Sequence, residues 1–168
     1  PESAEAIHPN NRKRVIRALE FYQETGRKIS EHNAKEQMRT SPYNFAYFVL
    51  NDERSHLYKR IDARVDKMIE DGLEAEVRRL KEMGCTKDMV AMQGIGYKEM
   101  LSYLDGSYSL EEAVYIIKRE TRHFAKRQIT WFKRERDVIW LNKNEFDYKN
   151  EAILAYMIKI LKEKAIIS

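Results

Sequence analysis

The chain has 168 residues, of which 43% are hydrophobic and 35% charged, and its net charge is +4. This length and apolar content fit one ordinary domain or two small ones with a core, and a net charge this small does not by itself indicate a nucleic-acid partner. The chain contains no run of about 18 apolar residues, so we expect no membrane span. Its one cysteine, Cys85, excludes an internal disulfide and fits a cytoplasmic protein. The four histidines show no metal-ligand spacing, so we expect no metal bound by protein side chains.

Helical spacing dominates the first part of the chain, where glycine and proline are scarce. Asn10 or Asn11 can cap a first helix that Gly26 ends. A polar stretch over 30–42 follows, in which we expect some helix. The continuous apolar run 45–50 then predicts a strand that is covered on both faces.

The middle of the chain predicts further helices. One begins near Ser55, is interrupted at Gly72 and ends at Gly84. Another opens over 93–98 and runs to about Leu104.

A capping box formed by Ser109 and Glu112 begins the last long helix. Its buried side is predicted to carry Leu110, Ala113, Val114, Ile117, Thr121 and Phe124. The run 138–141 predicts a second buried strand, and a final amphipathic helix over 152–164 is predicted to turn inward Ile153, Tyr156, Met157, Ile160 and Leu161.

These elements predict an α/β fold that is predominantly helical. Two buried strands cannot form a stable sheet alone, so we expect them to belong to a larger parallel sheet whose other strands lie outside this chain. The opening at Pro1 rather than a methionine supports the same expectation of a fragment.

A basic segment closes the last long helix. Between 118 and 136 there are eight Lys and Arg residues and two acids. Phosphate contacts are expected from Lys126, Arg127, Lys133 and Arg134, and base-edge contacts from Gln128 and Thr130. For Trp131 we favour core packing over base stacking. A second basic patch on the first helix consists of Lys13, Arg14 and Arg17.

Several motifs, in this order, resemble those of the tRNA dimethylallyltransferases. They are His8-Pro9-Asn10-Asn11 with Arg14, Arg17-Ala18-Leu19-Glu20, Arg60-Ile61-Asp62-x-Arg64-Val65-Asp66-x-Met68, Gly72-Leu73-x-x-Glu76-Val77, Gln93-x-Ile95-Gly96-Tyr97-Lys98-Glu99 and Thr121-Arg122-x-x-Ala125-Lys126-Arg127-Gln128-x-Thr130-Trp131-Phe132. They cover about the first 140 residues.

The resemblance implies an enzyme that moves a dimethylallyl group from its diphosphate to N6 of adenosine 37 in tRNA, with Mg²⁺ assisting the diphosphate. It implies a P-loop-type core with a helical insertion: segment 1–64 would belong to the core, 65–130 to the insertion and tRNA-binding helices, and 131–168 to the core again. The partners would be the tRNA anticodon stem-loop and an N-terminal half, with a monomer as the complete enzyme.

Three groups of tRNA-binding residues follow from the resemblance, together with a diphosphate contact by Arg64. The groups are Lys13, Arg14, Val15, Ile16 and Arg17; Gln93, Gly94, Ile95, Gly96, Tyr97 and Lys98; and Lys126, Arg127, Gln128, Ile129, Thr130, Trp131, Phe132 and Lys133.

Simpler interpretations stay open for two of these groups. Arg64 can instead form an ordinary helix ion pair, as can Arg60, with nearby acids of the same helix: Asp62, Asp66 or Glu70. The segment 93–98 can be a glycine-bearing helix start in which Tyr97 is packed.

One departure from the family is large. The chain has no Gly-x-x-x-x-Gly-Lys-Ser/Thr phosphate loop. The resemblance puts that loop and the catalytic aspartate upstream of Pro1, so we expect this chain to be inactive alone. The competing hypotheses are a non-enzymatic helical RNA-binding module, which needs only the basic helices, and a helical interaction domain whose basic faces are merely solvated.

Overall fold

The computed structural model describes residues 7–8 and 10–168. Pro9, which belongs to the first motif of the resemblance, lies outside the described residues. Contacts within the chain divide it into two compact units, Pro1–Asn44 and Phe45–Ser168. The three functional segments expected from the sequence stay a prediction.

The first unit contains helix α1 over Arg12–Thr25 and helix α2 over Ile29–Met38. Of the two candidate caps, Asn11 is the one used: its side chain accepts a hydrogen bond from the backbone N–H of Arg14 at 3.3 Å. Gly26 ends α1 in the left-handed conformation, with φ at 67°. The polar stretch contains more helix than its composition indicates, because α2 occupies most of it.

The second unit is built on two parallel strands, β1 over Tyr47–Asn51 and β2 over Val138–Asn142, paired in register from their first residues to their last. Both predicted strands are therefore confirmed, and so is their parallel order. The expected cover on both faces is not provided by the described residues of this chain, and it stays a prediction. Of the ten strand residues only Val49 and Leu141 are buried, while Leu50 is 61% exposed because alternate side chains point to opposite faces.

The helices of the second unit are α3 (Arg54–Glu70), α4 (Leu73–Glu82), a short 3-10 helix (Val90–Gln93), α5 (Tyr97–Leu104), α6 (Leu110–Phe132), a second 3-10 helix (Lys143–Phe146) and α7 (Asn150–Glu163). The predicted interruption at Gly72 separates α3 from α4, and its φ of 100° is one that glycine adopts without strain. No helix within the described ranges is long and apolar enough to cross a membrane.

The core of this unit lies where α3, α4, α5 and α6 meet. Its buried members are Val65, Leu73, Val77, Met92, Met100, Leu101, Ala113 and Ile117. Cys85 packs against this cluster as a partly buried small residue, as its position after a helix end predicts.

Helix α6 begins as predicted. The backbone N–H of Ser109 donates to Glu112 Oε2 at 2.8 Å, and the Glu112 N–H donates to Ser109 Oγ at 3.1 Å. The predicted burial of Phe124 is wrong, since this ring is 45% exposed. Helix α5 packs against α6, and the core cluster includes Ile117 but not Phe124, two turns later.

The last helix, α7, buries Ile153 against the unit as predicted. Tyr156, which was predicted to turn inward, is exposed, and its ring centroid lies 5.4 Å from that of Phe146.

Candidate nucleic-acid interface

One side of the last turns of α6 packs against the sheet. The half-buried ring of Phe132 meets Tyr47 of β1 edge-on, with centroids 6.2 Å apart. Ile129, three residues earlier on the same side, is also half-buried. The other side of these turns therefore faces solvent and carries Arg127 and Trp131.

A shallow groove of about 530 Å³ runs along this exposed side, and its lining contains no acidic residue: His123, Lys126, Arg127, Thr130, Trp131 and Arg134. Trp131 is 53% exposed, so the expectation that it packs in the core is wrong. The indole and the Phe132 ring form a T-shaped pair with centroids 5.2 Å apart. The hydroxyl of Thr130 donates to the Lys126 carbonyl at 3.0 Å and keeps its oxygen as an acceptor.

The basic residues in the middle of α6 are neutralised by carboxylates. Arg122 donates two hydrogen bonds from one nitrogen to Asp62 of α3, at 2.6 and 2.8 Å. Lys118 Nζ lies 2.6 Å from Asp66 Oδ1, one turn further along α3. Arg119 pairs with Glu120, and this guanidinium lowers the pKa of that carboxyl.

The basic residues at the end of α6 differ. In the described part of the chain no hydrogen bond or ion pair joins a carboxylate to Lys126, Arg127, Lys133 or Arg134, all of which are exposed. Gln128 is exposed beside them. Uncompensated positive charge is therefore concentrated in the last two turns and just beyond.

A deeper cleft of about 480 Å³ opens at the carboxyl ends of the two strands. It is lined by Asn51, Asp52, Arg54, Leu57, Tyr58, Lys126, Ile129, Thr130, Lys133, Trp140 and Asn142. Asn51 Nδ2 donates to Asn142 Oδ1 at 2.9 Å, which joins the two strand ends side by side. In open α/β sheets, ligands bind outside this edge of the strands.

Asp52 is the residue at this edge that the sequence reasoning missed. Its side chain is only 5% exposed and lies 3.8 Å from His56 Nδ1 and 3.6 Å from a guanidinium nitrogen of Arg60. Burial and the Asp52 carboxylate raise the pKa of Tyr148. The available signal was a polar pair, Asn51-Asp52, directly after an apolar strand.

Arg64 lies on the exposed side of α3. Of the three acids that could have paired with it along its own helix, Asp62 and Asp66 bind α6 instead. Arg60 binds Asp52. Arg64 makes no ion pair with any residue that the structure describes, so its guanidinium is available for an anion.

The segment 93–98 has the geometry of its simpler interpretation, a glycine-bearing helix start, and its contact with tRNA stays a prediction. Tyr97 is packed, and its hydroxyl donates to Glu76 Oε1 at 2.6 Å, a contact that raises the pKa of the phenol. Gly96 is buried at the start of α5 with φ at 105°, and its N–H donates to Glu99 Oε2 at 2.8 Å. Gln93, Gly94 and Lys98 are exposed, whereas Ile95 packs against the core.

The basic patch of the first unit lies along α1. Lys13, Arg14, Ile16 and Arg17 are exposed there, and Val15 is half-buried. Within the described residues, no group of three or more His, Cys, Asp or Glu side chains is placed to hold a metal ion.

Comparison with known proteins gives consistent matches. The model of the family described as IPP transferase matches residues 1–135. A tRNA dimethylallyltransferase of Lachnoclostridium phytofermentans is 60% identical in an alignment of 168 residues that covers 99% of this chain and 53% of that protein. The chain thus spans about half the length of this curated relative.

Solved structures agree with the sequence match. The full-length tRNA isopentenylpyrophosphate transferase of Bacillus halodurans is 44% identical with a TM-score of 0.68, over 98% of this chain and 50% of that one. A eukaryotic dimethylallyltransferase acting on tRNA is 33% identical with a TM-score of 0.72, over 84% of this chain and 38% of that one.

Proposed function

Because this chain belongs to the IPP transferase family, we propose that it carries the tRNA-binding and diphosphate-covering surfaces of a tRNA dimethylallyltransferase. The named relatives support prenyl transfer to tRNA as the activity of the whole protein. The reaction proposed is transfer of a dimethylallyl group from dimethylallyl diphosphate to N6 of adenosine 37.

That reaction needs three contributions. The amine must lose a proton, the leaving diphosphate must be stabilised as its C–O bond breaks, and the adenine must leave its stack. This chain offers groups for the second and third.

The observation that carries the proposal is the uncompensated charge at the end of α6. Lys126, Arg127 and Lys133 have no carboxylate partner in the described part of the chain, whereas Lys118, Arg119 and Arg122 all have one. Cations that gain no protein partner are available to RNA phosphates. Gln128 and the Thr130 oxygen stand beside them for base edges of an unpaired anticodon loop.

Two further groups of tRNA contacts are proposed from the resemblance. Lys98 of the segment 93–98 is exposed in the first turn of α5, which packs against α6, and its Nζ lies 3.4 Å from Glu99 Oε1. Gln93 and Gly94 are exposed in the same segment. The residues 13–17 of α1 remain proposed tRNA contacts.

For the diphosphate we propose Arg64. Its exposed guanidinium has no acidic partner among the described residues, and a guanidinium can hold two phosphate oxygens at once. Together with the remaining half of such an enzyme, this unit would form a P-loop-type core. The resemblance implies that Mg²⁺ would be bound mainly through the diphosphate and that other half.

Binding of two anticodon stem-loops to the chain tests the proposal. One carries A36-A37-A38 and the other has those three bases changed, and both are measured over a salt series. We expect tighter binding to the adenosine loop, with affinity falling steeply as salt rises.

Equal, salt-sensitive binding to both loops would favour a non-enzymatic RNA-binding module. Adding the N-terminal half of a relative and measuring prenyl transfer separates that module from an enzyme whose recognition needs both halves. Absence of binding near physiological salt would contradict the proposal outright.

A further inference from the structure

The apolar side of α6 extends beyond the part of the helix that the core covers. Ile117, Phe124 and Trp131 follow one another at intervals of seven residues, which on an α-helix keeps them on nearly the same side. Ile117 is 1% exposed within the core, but Phe124 is 45% and Trp131 53% exposed. Two large aromatic rings are therefore presented to solvent along one line.

Arg127 lies between these two rings. Its guanidinium carbon is 5.7 Å from the centroid of the Phe124 ring, within the range of a cation–π contact. From Phe124 to Trp131 the helix rises about 10 Å, roughly the length of two or three stacked nucleotides. The three side chains together form what we call the aromatic stripe.

The charges around the aromatic stripe indicate what kind of partner it binds. An apolar protein surface laid on it would also remove Arg127 and the neighbouring Lys126 from water without giving them a partner, which is unfavourable. A single-stranded RNA offers both flat bases for the rings and phosphates for the cations. The groove beside the stripe contains no acid that would repel those phosphates.

We propose that the aromatic stripe of Phe124, Arg127 and Trp131 is a stacking platform for two or three consecutive unpaired nucleotides of RNA. This inference rests on the proposed function and makes it more specific. The inference concerns bases that stack on α6, which is a different contact from phosphates bound by the cations of this helix.

Trp131 provides the readout, because it is one of only two tryptophans in the chain. The probe is an RNA hairpin with a seven-nucleotide loop of unpaired adenosines, and a fully paired duplex with the same number of phosphates serves as the comparison. We expect the hairpin, and not the duplex, to quench tryptophan emission. In Trp131→Phe, which leaves Trp140 as the reporter, the quenching disappears while the hairpin still binds, since a phenyl ring can stack.

Affinity supplies the second readout. Trp131→Leu and Phe124→Leu keep apolar bulk but remove the rings, and each is expected to weaken hairpin binding roughly 10-fold without weakening duplex binding. Tyr115→Leu is the matched control: Tyr115 is 60% exposed on α6, nine residues and hence half a turn away from the side of Phe124, and we expect no change.

The outcomes separate the two claims. Salt-sensitive hairpin binding with unchanged tryptophan emission and an unaffected Trp131→Leu variant overturns the stacking platform and leaves the proposed function intact. Failure of the chain to bind either RNA overturns both the stacking platform and the proposed function. The aromatic stripe would then be a contact surface for another protein.

Discussion

Between Lys118 and Arg122 every Lys and Arg of α6 has a carboxylate partner, whereas between Lys126 and Arg134 none has one in the described part of the chain. Both regions are rich in Lys and Arg; the first lies within α6, and the second runs from its last two turns to Arg134, just beyond its end. They differ in what lies opposite them, because α3 presents Asp62 and Asp66 to the first region only.

The apolar side of the helix shows a parallel change along its length, from a covered part to an exposed part. Ile117 is enclosed by the core, while Phe124 and Trp131 are exposed one and two heptads later. A covered part and an exposed part therefore follow each other along one apolar side of the same helix. The paired region holds α6 in the fold, and the unpaired region is the one available to a ligand.

The largest expected effect contrasts the covered and the uncovered apolar residues. Ile117→Ala removes a fully enclosed side chain and should lower the free energy of unfolding by about 3 kcal/mol. Phe124→Ala should lower it by less than about 1 kcal/mol, because half of the ring is already in water. Urea unfolding of the two variants measures both values, and equal losses would show that α6 has no such boundary.

A smaller effect is expected from the ion pair across α3 and α6. Arg122→Ala leaves Asp62 partly buried without its partner and should cost about 1–2 kcal/mol of stability. Arg127→Ala, an equal change of charge one and a half turns later, should cost less than about 0.5 kcal/mol. A double-mutant cycle of Arg122→Ala with Asp62→Ala isolates the pair, and a coupling energy of zero would contradict its structural role.

The smallest effect on stability is expected from the ion pairs of Asp105, which lie outside α6. Lys81 and Lys87 lie 2.7 and 2.6 Å from Asp105 and lower the pKa of its carboxyl from 3.8 to about 2. Because the folded-state pKa is the lower one, the stabilisation is complete above pH 3.8 and is lost as the pH falls toward 2.

Thermal unfolding of the chain and of Asp105→Asn across this range measures that loss. The difference in Tm between them should shrink as the pH falls. A constant difference would mean that the two lysines do not act on Asp105.

The sequence was sufficient for those elements whose cause is local. The caps at Asn11 and Ser109, the stops at Gly26 and Gly72, and both apolar strands were predicted because each depends on a few neighbouring residues. The basic segment was also located correctly at the end of a long helix.

What the sequence could not supply depends on residues distant in the chain. Helical periodicity continues from Ile117 to Phe124, but the point at which the core stops covering that side depends on tertiary packing. Charge counting treated Arg122 and Arg127 alike, since the acid that distinguishes them, Asp62, lies 60 residues earlier. Asp52 was missed because the parallel pairing of two distant strands creates its site.

The central claim is that the unpaired end of α6, rather than basic charge in general, binds tRNA. Two double variants with the same loss of charge test it: Lys126→Ala with Arg127→Ala, and Lys118→Ala with Arg119→Ala. The measurement is affinity for the anticodon stem-loop over a salt series. We predict that the first variant binds roughly 10-fold more weakly and that its salt slope falls by one to two, while the second keeps the slope of the unaltered chain. Equal losses in the two variants would contradict the claim, because net charge alone would then explain binding.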